Sequence, residues 1–104
     1  MYEADALFNQ IMMGKENAVP RPSDQNVDRA LRKKIEKAQK NGRVIINDDD
    51  KVGYYEPDWS DEAQVLAYRH YINKLKSRIK AHAAAIWAME RTAADALSGQ
   101  ETFI

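Results

Sequence analysis

The sequence predicts a mostly α fold that carries one two-stranded β-hairpin and closes on a long helix. Three observations predict it. Apolar residues recur at 3-4 spacing from Val65 to Ala96 with no breaker between them. Residues 27–41, VDRALRKKIEKAQKN, put an apolar stripe opposite a basic face. Between these segments, RVII and VGYY flank three consecutive aspartates and a lysine, which is the pattern of two short strands around a turn.

In chain order, residues 2–13 place Leu7, Phe8, Ile11 and Met12 on one face of a short helix that Gly14 would end. Residues 15–26, KENAVPRPSDQN, hold two prolines and several turn formers and read as a loop. Ser23, Asp24 and Asn26 are candidate N-caps for the helix over 27–41. Its stripe is Val27, Leu31, Ile35 and Ala38, and Gly42 suits its C-terminus. The hairpin spans 43–56, with Asn47–Lys51 as its loop. Two strands alone are marginal in water, so the hairpin must lie on helices.

Pro57 stops the second strand, and Asp58 or Ser60 caps a helix over about 58–97. Val65, Tyr68, Ile72, Leu75, Ile79, His82, Ile86 and Met89 form its seam, an interface for another helix. That partner is either a second copy or the N-terminal helix folding back. Residues 98–104 read as a loose tail. The domain organisation is therefore residues 1–57 as one part, with the long helix packing on it or dimerising.

The formal charge of zero conceals segregation. Residues 28–43 carry a net charge of +5, residues 47–62 of −6, and residues 69–80 of +5. Such blocks set local fields and choice of partner. With 104 residues, 44% hydrophobic and 31% charged, the chain suits one small helix-rich globular domain. The absence of cysteine excludes disulfides and thiolate metal sites and suits a reducing cytoplasm, where the protein is expected. The acidic start MYEAD has no apolar core, so no signal peptide is expected, and no run reaches the ~18 apolar residues of a membrane span.

No Ser/His/Asp arrangement, glycine-rich phosphate loop or carboxylate pair emerges, so the protein is expected to be non-catalytic, without cofactor or metal. A calcium loop starting at Asp48 fails because its fifth and twelfth places hold Val52 and Trp59. His70 and His82 stand about 18 Å apart along one helix and cannot share a metal.

GKENAV, VDRALRKKIEKAQKNG, the GYY closing the hairpin and YINKLKSRIKAH together resemble small winged-helix proteins of phages and prophages. The likeness covers about residues 5–85. It implies a winged helix-turn-helix and a DNA-binding function; here only twelve residues, with Pro20 and Pro22 among them, separate Gly14 from Val27, so the helix before the recognition helix is truncated or replaced by a loop. By that resemblance helix 27–41 is the recognition helix. Gln25, Asn26, Arg29, Arg32 and Lys33 would face base edges. Lys34, Lys37, Lys40 and Arg43 would meet phosphates, and Lys51 would do so from the wing. The expected partner is duplex DNA, bound by a homodimer. The alternative is a phage-encoded, anti-CRISPR-like inhibitor or adaptor, whose acidic patch of Asp48, Asp49, Asp50, Glu56 and Asp58 docks on a host nucleic-acid-binding protein.

Overall fold

The computed structural model describes residues 2–47 and 52–101. Asp48, Asp49, Asp50 and Lys51, the expected wing tip, lie outside the described residues, as do residues 102–104. The elements run α1 (Tyr2–Gln10), α2 (Gln25–Lys40), β1 (Ile46–Asn47), β2 (Tyr54–Tyr55) and α3 (Glu62–Glu101), with one 3-10 turn at Lys15–Asn17. The chain is thus mostly helical with a small antiparallel sheet, as the sequence predicts. It divides into two units, Met1–Tyr71 and Ile72–Ile104.

In the first unit α1 packs on α2. The core is Ala4, Ile11, Val19, Leu31, Ile35, Ile45 and Tyr54, with Leu7, Phe8, Val27, Ala30 and Ala38 against it. α1 stops three residues short of the Met13 expected. The backbone beyond it is used elsewhere: Glu56 N–H donates to Met12 O at 2.9 Å, and Gly14 N–H to Glu56 O at 2.8 Å. A helix cannot continue through groups already bonded to a strand. Gly14 takes φ +99° at this junction.

The expected loop over 15–26 holds more order than its prolines suggest. Val19 and Tyr54 exchange backbone hydrogen bonds of 2.8 and 2.9 Å as an antiparallel bridge. β2 is therefore paired on both edges, with β1 on one side in the register Ile46↔Tyr55 and Asn47↔Tyr54. Val52 stays outside the strand and is exposed. Gly53, at φ +127°, lets the chain pass close to Val19.

Asp24 is the N-cap of α2: its Oδ1 accepts from Asn26 N–H at 2.8 Å and Val27 N–H at 3.2 Å. The helix consequently begins at Gln25, two residues before the apolar stripe does. It ends as the sequence predicts. Gly42, at φ +95°, donates to Gln39 O at 2.9 Å, and Arg43 N–H donates to Ala38 O at 3.0 Å. These two bonds form a Schellman cap.

Asp61, not Asp58 or Ser60, caps α3, with Oδ1 accepting from Ala63 N–H at 2.9 Å. Asp58 instead closes a turn, accepting from Ser60 N–H at 3.0 Å and Ser60 Oγ at 2.6 Å. These two bonds hold its carboxyl below the usual carboxylate range. The first turns of α3 belong to the first unit, which is why the division falls after Tyr71 rather than after Pro57. Trp59 meets Tyr68 edge to face at 5.2 Å, and Gln39 Nε2 donates to Tyr71 Oη at 3.0 Å.

The second unit is helical through Glu101, so Ser98 and Gly99 continue the helix instead of opening a tail. Every described side chain from Lys76 to Gly99 is exposed, including Ile79, Ile86, Trp87, Met89 and Leu97. No described helix is long and apolar enough to cross a membrane.

Candidate nucleic-acid interface

Alternation along α2 creates the candidate surface. Leu31 and Ile35 are buried with Asp28, and Val27, Ala30 and Ala38 are half-buried. This leaves Gln25, Asn26, Arg29, Arg32, Lys33, Glu36, Lys37 and Lys40 on the exposed face. Arg29, Lys33 and Lys37 follow at i, i+4 and i+8, one per turn on a single line. They form no ion pair among the described residues. Lys40 pairs with Glu36 at 3.3 Å.

Beside this line lies a feature that composition did not reveal. Asp28 is 6% exposed, yet it is surrounded by cations. Arg21, from the loop, bonds it twice, Nε to Oδ1 and Nη2 to Oδ2, both at 3.0 Å. Arg32 Nε approaches Oδ2 at 3.2 Å. The two arginine side chains remain 59% and 55% exposed. A carboxylate below the surface thus orients two guanidinium groups at the surface. Bonding to Asp28 raises the pKa of Arg21 further above its already high value. The sequence predicts Arg32 as a contact residue but not Arg21, whose partner is seven positions away and is brought to it only by the fold of the loop.

Besides Lys40, two further predicted phosphate contacts have structural partners. Lys34 Nζ pairs with the Asp5 carboxylate of α1, and this bond is the main cause that lowers the Asp5 pKa. Arg43 is held more extensively. Its Nη2 donates to Ile11 O at 2.9 Å and to Glu56 Oε1 at 3.0 Å, and its guanidinium lies 5.1 Å from the Phe8 ring centroid. Arg43 therefore ties the end of α1 to the strand side, and Glu56 of the expected acidic patch is the carboxylate it uses. Lys51 and Asp48–Asp50 are outside the described residues.

A concavity of about 380 Å³ is lined by Lys15, Glu16, Tyr55, Asp61, Ala63, Gln64 and Ala67. Its buried amide is already engaged: Gln64 Oε1 accepts from Asp58 N–H at 2.9 Å and Lys15 N–H at 3.2 Å, and Nε2 donates to Asp61 Oδ2 at 3.2 Å. The arrangement fastens the entry of α3. No group of three His, Asp or Glu side chains among the described residues has metal-binding geometry. No protein-family model, curated protein or solved structure matches the chain.

Proposed function

We propose that this is a non-catalytic duplex-DNA-binding protein that uses the exposed basic face of α2. One observation carries the reading: Arg29, Lys33 and Lys37 stand in line on the solvent face without an ion-pair partner among the described residues. An unpaired row of cations with a spacing of about 6 Å per turn suits a polyanion, because each phosphate neutralised releases condensed counterions. Arg21 and Arg32, steadied by Asp28, extend the same charge as planar donors suited to phosphate oxygens. At the N-terminal end, Gln25 and Asn26 are exposed, and such amides can make paired bonds to adenine.

The winged-helix expectation is part of this reading. It is supported by the order of α2, hairpin and α3, and by the pairing of Val19 with Tyr54, which adds a third strand-like segment beside the hairpin.

The experiment is a titration of fluorescent duplex DNA at two salt concentrations, with wild type and the triple variant Arg29→Ala/Lys33→Ala/Lys37→Ala. Wild type binds more weakly at the higher salt, and the variant loses both affinity and about 2–3 of the log–log salt slope. Lack of duplex binding by wild type at low salt overturns the proposal and favours a protein partner for the acidic segment.

A further inference from the structure

We infer that the second unit pairs with a second copy of itself as an antiparallel two-helix coil centred near Ala84. The inference is independent of DNA binding. Within this unit Ile72, Ile79, Ile86 and Ala93 occupy one heptad position, and Leu75, His82, Met89 and Ala96 the other. Ile79, His82, Ile86, Met89, Ala93 and Ala96 are all exposed. An apolar line of this regularity on a helix matches the same line on a second helix.

Charge and size select the direction. Residues 74–80 carry Lys74, Lys76, Arg78 and Lys80 with no acid, whereas the far half contains Glu90 and Asp95 against Arg91. A parallel pair would set the two basic ends side by side. An antiparallel pair sets each basic end against the other copy's acidic half. With the two-fold axis near Ala84, the seam pairs Ile79 with Met89 and His82 with Ile86 of the other copy. Leu75 and Ile72 then meet Ala93 and Ala96, so the bulky end of each helix faces the small end of the other. The same alignment brings Lys76, flanking the seam, to Glu90 of the other copy, twice by symmetry. Lys76 and Glu90 are exposed and have no ion-pair partner among the described residues. Alanines at 83 and 85 flank the seam near the axis, which permits close approach of the two backbones.

Sedimentation equilibrium on the full chain tests association, and wild type is expected to be a concentration-dependent dimer. Ile86→Glu, at a side chain 50% exposed in the single chain, is expected to be monomeric with unchanged helix content by circular dichroism. Lys76→Glu weakens the dimer by about tenfold, and Lys76→Glu/Glu90→Lys restores it. The chain has no cysteine, so Ala94→Cys takes one spin label per copy at a site off the seam. Antiparallel pairing separates these labels by about 30 Å along the axis. A monomer at millimolar concentration overturns the inference. So does a short label separation, or failure of the charge swap to restore association.

Discussion

Arg21 grips Asp28 through two parallel contacts of 3.0 Å, with the acid buried and the base mostly in water. Arg32 reaches the same carboxylate at 3.2 Å, so Asp28 has two interchangeable counter-charges. Losing one leaves the other, whereas losing both strands a charge inside the protein. Arg21→Ala and Arg32→Ala should each lower stability by about 0.5 kcal/mol, a small effect because both guanidinium groups are well solvated. The double variant should cost about 1 kcal/mol more than the two combined. Urea unfolding of the four proteins checks this, and simple additivity would show that Asp28 does not depend on either arginine.

Gly53 and Gly42 both have positive φ but differ in what surrounds them. A Cβ at Gly53 would lie 2.2 Å from Val19 O, against backbone that is held in the bridge to Tyr54. A Cβ at Gly42 would meet nothing within 4 Å. Gly42→Ala should therefore cost about 1 kcal/mol, the conformational strain alone. Gly53→Ala should cost more than about 2 kcal/mol, because it also pushes the sheet edge apart. Equal losses in thermal or urea unfolding would contradict the close approach.

Arg43 separates the structural cations from the available ones. Arg43→Gln removes the Glu56 pair, weakens the bond to Ile11 O and loses the contact with Phe8. Its stability should fall by about 1–2 kcal/mol. Its duplex-DNA salt slope should stay unchanged, whereas Lys37→Ala should reduce that slope by about 1 at unchanged stability. A reduced slope for Arg43→Gln would mean that this guanidinium leaves Glu56 for phosphate.

Tyr54 predicts the alkaline limit of stability. Burial is the main cause that raises its phenol above the ordinary value of 10.0, and the nearby Asp28 carboxylate adds to it. The folded protein thus holds this proton more tightly than the unfolded chain. The stabilisation is complete below the unfolded value, near pH 10, and is lost as the pH rises through the raised folded value. Tyr54→Phe has no proton to lose, so its stability should fall less steeply than that of wild type above about pH 10. Parallel slopes in urea titrations at several alkaline pH values would exclude this role.

Local signals explain what sequence reading recovered. Val27, Leu31, Ile35 and Ala38 repeat with the helical period, and Gly42 offers the positive φ a Schellman cap uses, so α2 and its end were legible. The β-prone runs around the aspartates likewise marked the hairpin. The last turn of α1 was not legible, because Met12 and Gly14 bond to Glu56, more than forty positions away. The cap of α3 differs from the Asp58 or Ser60 that the sequence suggests. Asp58, Ser60 and Asp61 are all competent, and their hydrogen-bond geometry selects Asp61. At the candidate interface the basic face followed from helical spacing. The Arg21–Asp28–Arg32 cluster did not, since it needs a loop to fold back on the helix.

The sequence alone determined the succession of helices and hairpin, the polarity of α2 and the separation of charge along the chain. These depend on the backbone period and on neighbours within a few residues. The tertiary structure alone decided which cations are spent and which are available. Lys34 is drawn to Asp5 and Arg43 to Glu56, Asp28 orients Arg21 at the surface, and Arg29, Lys33 and Lys37 remain on the open face. The reason is distance: an ion pair is a matter of a few ångströms in space, and residues far apart in sequence meet only when the chain has packed.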